Sequence, residues 1–230
     1  MKSWIVIECA MRSEAESFIR NLENPEERSI CSFSIVEGKI YGKEIAVGFN
    51  RVGMINAAVL TKVLIDEYRP KCIIALGTAG AYLKTLKVND IILGEKIYNA
   101  NIVHMSDENC DVLEKITEED WKRDMCFASS PSLLEIGEKV PYDKGNVVVG
   151  NVASADFWSF DAGAIEKITR RIPAICEDME SFSEAQVCQI MDTDFLCIRV
   201  ISNNELSGES FDISAAENGQ NFLKNLIEII

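Results

Sequence analysis

At 230 residues, 47% of them hydrophobic, the chain is long enough to bury one sizeable core and needs no linker. Its 37 acidic against 23 basic residues give a formal charge of -14, which opposes a nucleic-acid backbone or an anionic membrane surface and suits a small neutral or cationic ligand. No apolar run reaches the ~18 residues of a membrane span, and Met1 to Glu8 is too short for a signal peptide's apolar core, so a cytoplasmic protein is expected.

Trp4 to Cys9 reads as a first strand, and Met11 to Ile19 starts a helix that ends before Asn24-Pro25, with Ser13 and Glu16 spaced as a capping box. Glu14 then lies just beyond the first strand's carboxyl end. It is either an ordinary acid of a helical first turn or a group that meets a ligand. Ile30 to Phe49 reads as a meander of short antiparallel strands, with turns at Glu37-Gly38-Lys39 and Gly42-Lys43. Asn50 to Gly53 turns into a helix that stops before Arg69-Pro70.

Cys72 to Leu76 has the pattern of a fully buried strand, followed by Gly77-Thr78-Ala79-Gly80. Glycines there let a ligand approach the backbone, and Thr78 offers a hydroxyl. The segment fits neither the dinucleotide nor the P-loop fingerprint, so nucleotide phosphates are not expected. Ile91 to Leu93 and Glu95 to Tyr98 read as two further strands. The following stretch holds the one histidine, His104, with no metal-ligand spacing around it. Cys72, Cys176, Cys188 and Cys197 lie in apolar runs, so the eight cysteines are expected to be reduced, with no structural metal.

Val147 to Ala153 returns to strand. Phe157 and Trp158 follow it, as core packing or as a stacking surface for a planar base, and Asp161 is placed to cap the next helix. Ala174 to Met191 is the chain's most informative stretch: a short apolar run ends in Glu177, Asp178 and Glu180 and hands over to a helix. These acids fall where ligands meet α/β sheets, although Asp178 is equally a good N-cap. Asp194 to Asn203 is a last buried strand interrupted by Arg199, which requires an anionic partner, with Glu180 the candidate. A polar loop runs to Phe211, and a C-terminal helix begins near Ser214.

Five segments in this order, Ala10-Met11-Arg12-Ser13-Glu14, Gly77 to Gly80, Leu86 to Ile91, Asp178-Met179-Glu180-Ser181 and Arg199 to Asn203, resemble the nucleoside phosphorylase and nucleosidase superfamily over nearly the whole chain. Among its members the chain looks most like the methylthioadenosine/S-adenosylhomocysteine nucleosidases. The resemblance implies one α/β domain over 1–230, with a mixed, twisted, partly closed central sheet flanked by helices and commonly paired as a homodimer. It also implies cleavage of a purine N-glycosidic bond without cofactor or metal. Glu14 resembles the carboxylate that activates water, with Arg199 and Thr78 close to that water. Met179 and Glu180 resemble the ribose contacts, and Phe157 the residue stacked on the base. Phe211 resembles the aromatic that closes over the 5' substituent, and Met11, Ala79, Gly80 and Asp178 line the same site.

Two departures bear on the reaction. Ala75 stands where several phosphorylases carry a phosphate-binding arginine, which favours water as nucleophile, although Arg12 and Arg51 keep a phosphorylase reading open. Asn203 stands where the nucleosidases carry the aspartic acid that protonates the leaving purine, and an amide cannot transfer that proton. Asn203 is therefore expected to contact the base, with Glu205 a candidate for the missing acid. A 6-oxopurine substrate of the futalosine or inosine type, or a binding protein without efficient turnover, is the alternative that Asn203 raises.

Overall fold

The computed structural model describes residues 3–101, 125–159 and 161–230. His104, assigned no ligand role from the sequence, lies outside them. From the N-terminus run β1 (Trp4–Cys9), a 3-10 turn at Arg12–Glu14, the short α1 (Glu16–Ile19), β2 (Glu23–Ile30), β3 (Phe33–Ile40) and β4 (Lys43–Phe49). Next come α2 (Met54–Tyr68), β5 (Cys72–Ala81), β6 (Ile91–Asn99), β7 (Cys126–Ala128), α3 (Pro131–Gly137), β8 (Val147–Ser154) and α4 (Ala162–Thr169). The chain finishes with β9 (Cys176–Asp178), α5 (Ser181–Ile190), β10 (Asp194–Asn203) and α6 (Ala215–Ile229).

All these strands join one mixed sheet that is partly closed. β5 pairs with β10, β10 with β6, β6 with β8, β8 with β9, and β9 with the far end of β5, which closes a small barrel. β1 pairs in parallel with the near half of β5, and β4, β3 and β2 continue the sheet from there. Side chains alternate across the sheet and bury both faces. Ile7, Ile74, Leu76, Ile198 and Val200 pack with Phe18 of α1 and Phe222 and Leu226 of α6. Val6, Ile73, Ala75, Cys197 and Ile201 pack with Leu60 and Leu64 of α2 and Phe182 of α5.

The fold departs from the sequence expectations in several places. The helix expected over Met11 to Ile19 is a 3-10 turn plus one α-helical turn, and Met11 rather than Ser13 caps it. The meander begins at Glu23, not Ile30: β2 is an edge strand with its residues largely exposed, where charges and Pro25 are tolerated and no apolar alternation marks the strand. Glu37-Gly38-Lys39 lies inside β3; the real hairpin turn is Tyr41-Gly42, both residues at positive φ as a two-residue loop requires. Finally, Ile91 to Asn99 is a single strand with a bulge between Gly94 and Ile97 rather than two strands.

Candidate active site

The parallel strands β1, β5 and β10 end on one side of the sheet, and the polar residues gather there. β5 runs through Gly77-Thr78-Ala79-Gly80, so these residues belong to the strand and not to a loop after it. Thr78 and Gly80 are its partly exposed positions in an otherwise buried strand, on one face at i and i+2. Ala79 points the other way, into the core beside Ile201, and contributes to the site only through its backbone.

Glu14 is 3% exposed at the turn after β1. Its Oε2 accepts the Met11 amide at 3.0 Å; its Oε1 accepts the Thr78 amide at 3.0 Å and the Thr78 hydroxyl at 3.3 Å. Burial raises its pKa, against those donors and the charge of Arg199. A Cβ on Gly77 would lie 3.3 Å from both Glu14 Oε1 and Arg199 Nη1, so acid and guanidinium converge over a residue with no side chain.

Arg199 is buried on β10 and finds its main partner in Asp178, not Glu180. Its Nε donates to Asp178 Oδ2 at 2.6 Å, and its Nη1 donates to the carbonyls of Ala75 and Ile198. Glu184 Oε2 lies 3.6 Å from Nη2. Burial opposes the charge, but Asp178 and the neighbouring acids outweigh it and hold the guanidinium well above its ordinary pKa. Asp178 has both oxygens in use, since Oδ1 accepts the amides of Glu180 and Ser181 at the start of α5. It holds the entry to the helix and positions Arg199.

Glu180 Oε1 accepts the Gly53 amide at 3.1 Å, and burial, then Asp178, pushes its pKa up to about 7. Gly53 adopts φ 108°, a conformation that disfavours any side chain, and a Cβ there would lie 3.2 Å from Asp156 Oδ1. Met179 beside it is half-buried, and Met11 is exposed at the mouth near Glu14. Phe157 packs beside Tyr82 and Ile165 along one wall, whereas Phe211 is 55% exposed in the loop after β10.

Asn203 pairs across the sheet with Gly80, and its Oδ1 accepts the Ser202 hydroxyl at 3.1 Å, which leaves Nδ2 as a donor above Gly80. Glu205 is exposed, on the loop beyond. The structure also places acids that the sequence reading did not. Glu8 of β1 accepts Thr61 Oγ1 at 2.9 Å and Asn50 Nδ2 at 3.2 Å, and the same amide donates to Glu184 Oε1 at 3.1 Å. A charged residue inside the apolar run of β1, and another on the apolar face of α5, were the available signals. Arg12, a candidate phosphate ligand, is exposed and paired with Glu16 and Glu27. Among the described residues no group of acids, cysteines and histidines has the arrangement of a metal site.

The phosphorylase superfamily model matches residues 5–230. The chain belongs to this superfamily. Its relatives include a 5'-methylthioadenosine/S-adenosylhomocysteine nucleosidase of Desulfotalea psychrophila, 27% identical over 228 residues, covering 96% of this chain and 94% of the relative. The nucleosidase of the same name from Neisseria meningitidis, solved with methylthio-immucillin-A, superposes with a TM-score of 0.84 at 25% identity, over 99% of this chain and all of that one. The futalosine hydrolase of Helicobacter pylori gives a TM-score of 0.84 at 23% identity, over 99% and 98% of the two chains. The superfamily fold and the expected partly closed sheet are thus both present.

Proposed function

We propose that the chain is a purine nucleosidase that hydrolyses the N-glycosidic bond of a 5'-substituted adenine nucleoside, of the methylthioadenosine or S-adenosylhomocysteine type. The observation that carries this reading is the buried Glu14, held by three donors beside Arg199 and over Gly77. A fixed carboxylate at an open strand end is a base for water. Breaking the bond builds oxocarbenium-like positive charge on the sugar, and the acids Glu14 and Glu180 stabilise that charge more than the neutral substrate. Glu180 accepts from the ribose hydroxyls, Met179 and Phe157 bound the sugar and the base, and Asn203 Nδ2 donates to the base. Ala75 and the acid-bound Arg12 favour water over phosphate as the nucleophile.

A 6-oxopurine nucleoside is the second reading, since the Asn203 amide is compatible with either base. Exposed Val52, Ile55 and Val59 form an apolar strip at the start of α2 that supports the homodimer reading. Among the described residues no helix is long and apolar enough to cross a membrane, which is compatible with the proposed cytoplasmic location. The experiment is Glu14→Gln: turnover should fall ~10²- to 10⁴-fold with nucleoside binding kept. Turnover within threefold of the parent would remove Glu14 from the mechanism.

A further inference from the structure

A purine leaving as its anion is a poor leaving group, and a group that transfers a proton to it in the transition state gains ~10² to 10⁴ in rate. Asn203 donates a hydrogen bond but has no proton to give. An acid stands on the other side of the same glycine. Glu177 of β9, Gly80 of β5 and Asn203 of β10 stand in one cross-strand row. A Cβ on Gly80 would lie 3.3 Å from Glu177 Oε1 and 3.5 Å from Asn203 Nδ2, so carboxyl and amide lean over the gap that glycine leaves. We propose that Glu177 is the general acid of the reaction, giving its proton to the base nitrogen that faces Gly80 while Asn203 orients the base.

The surroundings of Glu177 are built for this. Its Oε2 is occupied by the hydroxyls of Tyr82 at 2.6 Å and Ser159 at 3.0 Å, whereas Oε1, which among the described residues takes the Ser159 amide alone at 2.9 Å, is the oxygen over Gly80. The groups facing it are Tyr82 beyond β5, Ser159 after β8, Asp178 on β9 and Asn203 on β10. Burial raises its pKa and Asp178 adds to the rise, against the three donors, so it keeps its proton to higher pH than an ordinary glutamic acid.

Thr78, which Glu14 grips, and Gly80 lie on one face of β5, ~7 Å apart at strand spacing. That separation puts the base for water and the acid for the purine on either side of the bond that breaks. The C1'–N9 bond cleaves with its electron pair going to the purine, which takes the Glu177 proton. Water bonds to C1' and gives a proton to Glu14, and bulk water later returns a proton to Glu177 and accepts one from Glu14.

The inference rests on the nucleosidase reading, and the test separates the two. Glu177→Gln is assayed on a purine nucleoside and on a 4-nitrophenyl riboside with the same 5' substituent, whose leaving group needs no proton. The expected result is a loss of ~10²-fold or more in kcat on the purine but within about threefold on the nitrophenyl compound. The alkaline limb of the purine pH profile should disappear, and turnover should recover at least about tenfold in Glu177→Gln/Asn203→Asp. Equal losses on both substrates, or purine turnover within threefold of the parent, would overturn the role of Glu177 alone. Failure of the unsubstituted protein to cleave either compound would overturn the nucleosidase reading.

Discussion

Arg199 divides the buried acids into two groups whose hydrogen bonds differ. On the strand-end side, Glu14 is gripped by two backbone amides and a hydroxyl, and its pKa rises only against their resistance. On the core side, Glu8 and Glu184 share the single amide of Asn50, with Glu184 Oε2 and Asn50 Oδ1 left without hydrogen-bond partners among the described residues. Burial there, opposed only by Thr61, Asn50 and Arg199, pushes Glu8 up to about 8, and Glu184 is raised well above its ordinary value. The difference teaches that fixed donors and a nearby cation, not depth alone, decide which buried acid is ready to act as a base: Glu14 has two backbone amides and Arg199, whereas Glu177 has one amide and two hydroxyls that can equally turn to accept. The strand-end side holds Glu14 with fixed donors beside the guanidinium, and the core side supplies its acids with fewer donors, so burial raises them further.

The largest way to break this division is to remove the cation. Arg199→Met should cost ~3 to 5 kcal/mol by leaving Asp178 buried and unpaired, and should lower Tm by roughly 6 to 20 °C. A drop of less than about 3 °C in a thermal melt would mean that Asp178 and Glu184 do not depend on it.

Next, Glu180→Gln should lower kcat/KM by ~10²-fold, a loss comparable to removing one preorganised electrostatic partner. In the parent protein kcat/KM should climb as pH rises through about 7, where Glu180 ionises. A profile that is flat between pH 5.5 and 8 would dissociate Glu180 from the reaction.

The core side predicts an effect on stability. Because Glu8 binds its proton more tightly folded than unfolded, its contribution is full below pH 4.5 and is lost as pH rises through about 8. Glu8→Gln should therefore flatten the decline in stability over that window, as read by urea midpoints at several pH values. An unchanged slope would show that Glu8 is ionised in the fold. The smallest effect is expected from Thr61→Val, which removes one donor to Glu8 at ~1 kcal/mol and moves the midpoint of the same decline to higher pH.

The strand-end side was largely legible in the sequence because its residues follow strand ends: Glu14 after β1, Thr78 and Gly80 in β5, Glu180 after β9. The core side was not. Glu8 looks like one charge in an apolar strand, and Asn50, which joins it to Glu184, is 42 residues from one acid and 134 from the other. Arg199 was rightly expected to need an anion, but Glu180 and Asp178 are two residues apart and only the fold chooses between them. β2 escaped notice because an exposed edge strand carries no apolar alternation. The place of Glu177 opposite Asn203 depends on the register of three strands, which no local pattern encodes.

The most direct test of the account is base release from methylthioadenosine, S-adenosylhomocysteine, inosine and futalosine, each with and without phosphate, resolved by chromatography. The account predicts free adenine from the 5'-substituted adenine nucleosides at a rate independent of phosphate. Base release that requires phosphate, or no release from any of the four, would contradict it.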